Sequence, residues 1–160
     1  MRYQNEKYSL APKDLSNHLS CKHLTRLDLQ AALGKLERPS RYGPYMDELR
    51  ARGNAHEQAY LEYLQGLELN VVLKAEETEG QGFGILSRQE TQEAMQDGAD
   101  VIYQARLADD GSSGQADFLK KVPVPSDLGD WSYEVTDTKL ARETRAGTIL
   151  QLSVYSKYLS

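Results

Sequence analysis

Apolar residues in the first half of the chain recur every three or four positions, which is the spacing of one face of a helix. The pattern predicts two short helices between Ser9 and Gly34, a loop over Glu37–Tyr45 and a longer helix over about Asp47–Leu67. On the longer helix, His56 falls among the apolar positions rather than between them. We therefore expect the His56 side chain to point toward the interior or a cleft.

Short apolar runs bounded by turn residues dominate the second half of the chain, and they alternate with helical patterns. In chain order we predict a short strand over 70–76, a helix from Ser87 to about Gly98, strands over Val101–Leu107, Gln115–Val122 and Trp131–Leu140, and a helix over about Glu143–Ser160. The first two long strands form a hairpin. The order helix, three strands, helix predicts an α+β or α/β fold with the last helix lying on the sheet.

Length, net charge and the lengths of the apolar runs limit which class of protein this can be. A length of 160 residues suits one domain with a real core. The net charge of −5 argues against binding nucleic acid by bulk charge, although it leaves room for a local basic strip and a metal. No apolar run approaches the ~20 residues needed to cross a membrane, and the N-terminus lacks the apolar region of a secretory signal. We therefore expect a cytoplasmic protein without a membrane partner.

Charged residues interrupt the third predicted strand at Asp137 and Lys139. Side chains two apart leave the same face of a strand, and the carbonyl of Thr138 lies between them. Asp117 lies on the strand before, which we expect to neighbour this one. Two carboxylates and a carbonyl are hard oxygen ligands that suit Mg²⁺ or Mn²⁺, and a lysine beside them suits metal-assisted hydrolysis of a phosphodiester. The alternatives are a solvated surface ion pair and, for His56, a hydrogen-bonded core histidine.

Four short motifs, in this order along the chain, resemble those of the RecB-like branch of the PD-(D/E)XK nucleases. They are "GNAH" followed by Glu57, then "GQADFL", "YEVTDTK" and "QLSVYS". The resemblance runs from about Ser9 to Ser160, because the first helices also resemble the lead-in of that branch. It implies one nuclease domain over 1–160, with a helical lead-in over 1–46 and a restriction-endonuclease-like catalytic core over 47–160.

The resemblance also implies roles for individual residues. Asp117 and Asp137 would bind the metal through their carboxylates, Thr138 through its backbone carbonyl and His56 through its imidazole. Lys139 would position the attacking water and offset the charge that grows at phosphorus.

Two further motif residues, Gln151 and Tyr155, would orient the lysine and contact the DNA strand. They share one helix face because they are four residues apart. Glu57 has two readings, a carboxylate that supports the metal ligands or an ordinary surface group. Four basic residues close to the motifs are expected either to form the local basic strip or to be ordinary solvated charges: Lys120, Lys121, Arg142 and Arg145.

The chain departs from the family pattern in two respects. The expected fourth core strand after the last motif helix is missing, so we expect the N-terminal part of a longer protein, or a sheet completed by the N-terminal region or a partner. Cys21 falls where iron–sulfur members place their first cluster ligand, but the chain has no other cysteine. A cluster held by this chain alone is excluded by count, and we expect Cys21 to be a small buried residue.

The leading expectation is therefore a Mg²⁺- or Mn²⁺-dependent deoxyribonuclease, acting as an exonuclease on single strands or DNA ends, in some relatives beside a helicase or a further C-terminal domain. The alternative is an inactive nucleic-acid-binding or assembly module of the same fold. A third reading, an acidic protein-interaction domain, requires the motif order to be coincidence.

Overall fold

The computed structural model describes residues 1–38, 43–75, 83–109 and 111–159. Within these ranges the helices are α1 (Pro12–Ser20), α2 (Lys22–Ala32), α3 (Pro44–Gln65), α4 (Arg88–Gln96) and α5 (Ala146–Tyr158). The strands are β1 (Arg2–Gln4), β2 (Lys7–Ser9), β3 (Val71–Val72), β4 (Lys74–Ala75), β5 (Phe83–Gly84), β6 (Val101–Asp109), β7 (Ser112–Val122) and β8 (Ser132–Thr136). Parts of the predicted loops over 37–45, 76–84 and 109–114 lie outside the described residues, as does Ser160.

A mixed sheet in the order β3, β6, β7, β8 forms the centre of the protein. β3 runs parallel to β6, whereas β6 and β7, and β7 and β8, are antiparallel. Helix α3 covers one face of the sheet, and α4 and α5 cover the other. The α3 side buries Leu61, Leu64, Val101, Tyr103 and Phe118. The opposite side buries Ala94, Ile102, Ala105, Leu107, Ala116, Leu119, Tyr133 and Tyr155.

The prediction of a mixed α and β fold is confirmed, and the sheet has one strand more than the three predicted between the core helices. Residues Val71–Val72, within the short strand that the sequence predicts over 70–76, pair with Val101–Ile102 at the β6 edge. A segment before α4 therefore supplies a fourth, parallel strand. Periodicity could identify this strand but not its neighbour, because strand pairing depends on contacts that are distant in sequence.

The N-terminal region contains both predicted short helices, α1 and α2, and the second ends before Gly34, whose positive φ of 71° suits glycine. It is not helical throughout, because β1 and β2 form a hairpin ahead of α1. Cys21 lies between the two helices and is exposed, so the expectation that it is buried is wrong. Across the described ranges, none of the helices combines the length and apolarity required to span a bilayer.

Elements next to the motifs differ in detail from the prediction. The predicted start of α4 at Ser87 is confirmed, and a capping box forms there: the Ser87 hydroxyl accepts from the Glu90 amide, and the Glu90 carboxylate accepts from the Ser87 amide. Strand β8 ends at Thr136. The charged motif residues after it therefore lie just beyond the strand, not inside it.

Candidate functional site

Strand register brings the two motif aspartates together. On β7 and β8, Phe118 is paired with Thr136. In an antiparallel pair, the next position places Asp117 opposite Asp137, at the point where β8 ends. Directly opposed residues have Cβ atoms about 4.5–5.5 Å apart. The fold thus provides the neighbouring carboxylates that the motif order predicts.

The Lys139 ammonium contacts both carboxylates. Its Nζ lies 2.6 Å from Oδ1 of Asp137 and 3.9 Å from Oδ2 of Asp117. The Asp137 side chain is almost fully buried, at 4 % exposure. Among the described residues, its second oxygen, Oδ2, has no hydrogen-bond partner, and neither has the buried hydroxyl of Thr138. A buried carboxylate oxygen without a partner is costly, so this position favours either the proton that Asp117 can share with Asp137 or a cation from outside the chain.

The electrostatics reflect crowding of negative charge. Burial, the hydrogen-bonding proximity of Asp137 and the charges of Asp137 and Glu57 raise the pKa of Asp117 to about 8, although Lys139 acts in the opposite direction. Burial alone would lower the pKa of Lys139, but its hydrogen bond to Asp137 and the surrounding carboxylates raise it above the ordinary lysine value. Lys139 is therefore positively charged at neutral pH. Asp117 holds a proton at neutral pH unless a cation takes the place of that proton.

Helix α3 presents Glu57, and not His56, to this cluster. Leu61 and Leu64 are the buried positions of the helix, and Glu57 lies on the same face, one and two turns earlier. His56 is exposed, so the prediction that it points inward is wrong. Tyr63, two turns after His56 on the same expected face, is also exposed, at 60 %. The helix is rotated by about one residue from the expected face.

Two donors hold the Glu57 carboxylate. The Tyr103 hydroxyl donates to its Oε1 at 2.7 Å, and the Gln104 side-chain amide donates to the same oxygen. The Gln104 carbonyl oxygen in turn accepts from the side-chain amide of Gln115. Burial and the contact with Glu57 raise the pKa of Tyr103 above the ordinary tyrosine range, so its hydroxyl stays a donor. Of these residues, sequence reasoning named Glu57 but missed Tyr103, Gln104 and Gln115 as its partners.

The two motif residues of α5, Gln151 and Tyr155, lie near the carboxylates, since the charges of Asp117 and Asp137 act on Tyr155. Tyr155 is buried, at 5 % exposure, which does not suit the expected contact with a DNA strand. Burial raises its pKa, as do the charges of Asp117 and Asp137, although hydrogen bonds to Gln151 and to the backbone of Gln115 oppose the rise.

Gln151 directs its amide to the Tyr155 hydroxyl at 3.4 Å. Tyr155 packs against Gly114 so closely that an added Cβ would lie well inside van der Waals contact with the ring. The glycine of the "GQAD" motif thus provides the space for the tyrosine of "QLSVYS". Helical spacing places Ile149, Leu152, Ser156 and Leu159 on one face of this helix, but Ile149 and Ser156 are exposed, so that expectation is wrong in part.

The expected basic strip is divided between different surroundings. Lys120 and Lys121 are consecutive on β7 and leave opposite faces of the sheet. Lys121 donates to the Gly98 carbonyl at 3.1 Å and lies 4.6 Å from the centre of the Trp131 ring. Lys121 therefore has a structural role and lies on the other face of the sheet from Lys120, which does not favour the first of the two readings, a basic strip that includes both lysines.

The other two basic residues, Arg142 and Arg145, are exposed on the segment that joins Lys139 to α5. Arg145 occupies the N-cap position of that helix. Both arginines are thus available to a ligand that binds near Asp117 and Asp137, where β8 ends.

The donor set fits a hard divalent cation only in part. Within the described ranges, no three His, Cys, Asp or Glu side chains lie close enough together to hold a metal ion. The expected cluster of His56, Asp117 and Asp137 is therefore not formed. Mg²⁺, however, commonly binds through one or two carboxylates and completes its shell with water and substrate phosphate. Asp117, with its raised pKa, and the unpartnered Oδ2 of Asp137 provide that smaller set.

Comparison of the chain with models of protein families, with curated proteins and with solved structures found no match in any of the three. An assignment of function therefore depends on the geometry of the site and on the motif pattern. The residues that sequence reasoning missed carry one signal, because Gln104 is a polar residue within the apolar run "VIYQA".

Proposed function

We propose that the protein is a Mg²⁺- or Mn²⁺-dependent deoxyribonuclease of the RecB-like PD-(D/E)XK type. In this reading α3, β6–β8 and α5 form the restriction-endonuclease-like core. The observation that carries the proposal is the meeting of Asp117, Asp137 and Lys139, with Oδ2 of Asp137 buried and unpartnered among the described residues. Register alone gives no reason for a buried and a partly buried aspartate to face each other, whereas a bound cation does.

Each residue then has a definite task. Asp117 and Asp137 would hold the cation, which supplies Lewis acidity and lowers the pKa of water when bound. Lys139, fixed by Asp137, would orient the attacking water and offset negative charge on the phosphate. Glu57 takes the position on α3 that the motif pattern assigns to His56, and it would accept hydrogen bonds from water around the cation. Arg142 and Arg145 would contact the DNA backbone.

A second candidate is a nucleic-acid-binding or assembly module of the same fold without activity. One observation favours it: among the described residues the expected three-ligand metal group is not formed. Two ligands bind a cation more weakly than three, so a nuclease of this kind would depend on the phosphate of its substrate to complete the shell. The two candidates therefore differ in whether metal and DNA strengthen each other's binding.

The test is a cleavage assay on end-labelled single-stranded and double-stranded DNA in Mg²⁺, Mn²⁺ or EDTA. Asp137→Ala is the inactive variant, and Asp130→Ala, at an exposed aspartate before β8, is the matched control. We expect cutting that requires metal, is lost in Asp137→Ala and is retained in Asp130→Ala. Binding without cutting would support the second candidate, and neither activity would refute both.

A further inference from the structure

Gln104 has a backbone conformation that its position does not explain. It lies in the middle of the nine-residue strand β6, yet its φ is +53°, in the left-handed region that glycine favours. Its carbonyl oxygen accepts from the Leu86 amide, and the pairing of β6 with β7 passes from Tyr103 to Ala105 without including Gln104. A buried non-glycine residue in this conformation is destabilising and persists only when its surroundings hold it.

The conformation changes which face of the sheet Gln104 meets. Ile102 packs on the α4 and α5 side and Tyr103 on the α3 side, as strand alternation requires. Ala105 returns to the α4 and α5 side, so the alternation slips by one residue at Gln104. The slip leaves the Gln104 side chain directed at Glu57 on α3.

Both ends of the Gln104 amide are used. The nitrogen donates to Glu57, and the oxygen accepts from Gln115. If the amide were flipped, its oxygen would face the Glu57 oxygen and its nitrogen would face the Gln115 nitrogen. Two acceptors and two donors would then oppose each other, so the orientation of the amide is fixed. The strand register also brings Gln104 opposite Asp117, since Tyr103 pairs with Phe118 and Ala105 with Ala116. Gln104 therefore lies between the α3 carboxylate and the β7 carboxylate.

We propose that Gln104 is a positioning residue that acts through Glu57, holding the α3 carboxylate beside Asp117 so that the carboxylate cluster keeps one geometry. An unrestrained glutamate has several rotamers, and fixing it removes an entropic cost from cation binding. The inference rests on the proposed function for its effect on metal binding, but the Glu57–Gln104 coupling itself needs no metal.

The first experiment measures that coupling without metal. The midpoint of denaturant unfolding in EDTA is compared for wild type, Gln104→Gly, Glu57→Gln and the double variant. Glycine adopts the positive φ freely, so Gln104→Gly removes the side chain without adding strain. We expect the two substitutions to be non-additive, with the second changing the midpoint less when the first is present. Additive changes would overturn the inference.

The second experiment measures Mn²⁺ binding by calorimetry and the DNA cleavage constants. Substitution of residues that hold the direct ligands of a metal commonly weakens metal binding by about 10–100-fold, and Gln104 holds Glu57, which is one step further from the cation. We therefore expect Gln104→Gly to raise the Mn²⁺ dissociation constant by about tenfold and to lower kcat when both Mn²⁺ and DNA are saturating. Gln104→Glu, which keeps the acceptor for Gln115 but opposes Glu57 with a second carboxylate, should alter Mn²⁺ binding at least as strongly. Ala108→Gly adds the same backbone freedom elsewhere on β6 and should match wild type.

The outcomes separate the two proposals. A wild-type protein that neither binds Mn²⁺ nor cuts DNA refutes the proposed function, and the unfolding cycle then decides the role of Gln104. If Gln104→Gly binds Mn²⁺ as tightly as the wild-type protein does, the positioning role is refuted, whatever the unfolding experiment gives.

Discussion

Asp117→Asn should remove most of the pH dependence of stability that this site produces. In the metal-free protein the ionised Asp117 carboxylate is partly buried and is repelled by the charges of Asp137 and Glu57, whereas the protonated carboxyl is neutral. Its pKa in the folded protein, about 8, lies above the ordinary 3.8. The folded state therefore binds the proton more tightly than the unfolded state. Stability is fully present below about pH 4 and declines as the pH rises to about 8.

The size of this decline follows from the two pKa values. Each tenfold change in proton binding is worth about 1.4 kcal/mol, so the difference between 3.8 and about 8 sets an upper bound of about 6 kcal/mol. The Asp117 side chain keeps 19 % of its surface exposed, and Lys139 relieves part of the repulsion. We therefore expect a decline of at least ~2 kcal/mol from pH 4 to pH 9 that is absent in Asp117→Asn.

The assay is urea unfolding in EDTA at intervals from pH 4 to pH 9, for wild type, Asp117→Asn and Asp130→Asn. Asp130 is exposed, so its substitution should leave the wild-type pH dependence intact. Subtracting the Asp117→Asn curve from the wild-type curve isolates the contribution of one carboxyl. A difference that does not change between pH 4 and pH 9 would refute the account of the carboxylate pair. A difference that rises with pH would mean that Asp117 is stabilised as an anion.

Four further substitutions test separate parts of the structure. Gly114→Ala should cost about 1–3 kcal/mol in denaturant unfolding, because the new Cβ meets the buried ring of Tyr155; unchanged stability would mean that α5 is free to move. His56→Ala should leave metal-dependent cutting at the wild-type rate, since the imidazole is exposed, and a large loss of activity would restore the histidine as a ligand. Lys121→Met should lower stability by about 1 kcal/mol with DNA affinity unchanged, whereas Lys120→Met should lower DNA affinity and its salt dependence without affecting thermal unfolding.

Local patterns predicted the elements well, because helix caps and apolar periodicity are properties of neighbouring residues. The capping box at Ser87, the stop at Gly34 and the hairpin of β6 and β7 all follow from short stretches of sequence. Strand pairing was less accessible. The parallel placement of β3 depends on contacts with Val101 and Ile102, about thirty residues away.

At the site, the sequence predicted which residues lie together more accurately than where each side chain points. The motif order predicted that Asp117, Asp137 and Lys139 lie close together, and the contacts of Lys139 with both aspartates confirm this. The rotation of α3 was wrong by one residue because several apolar side chains on this helix are exposed, which blurs its periodicity. Glu57 rather than His56 therefore faces inward.

The local charge at the site, more than the overall charge of the chain, governs how an acidic protein could meet DNA. With Glu57, Asp117 and Asp137 ionised, three negative charges surround the single ammonium of Lys139, and the cluster repels a phosphate. Protonation of Asp117 removes one of these charges, and a divalent cation offsets two. The net charge of −5 is therefore compatible with a nuclease only if the cation, and not the protein, supplies most of the attraction for the scissile phosphate. Burial and the neighbouring carboxylates raise the pKa of Asp117, and a cation beside Oδ2 of Asp137 would relieve the crowding of negative charge at both aspartates.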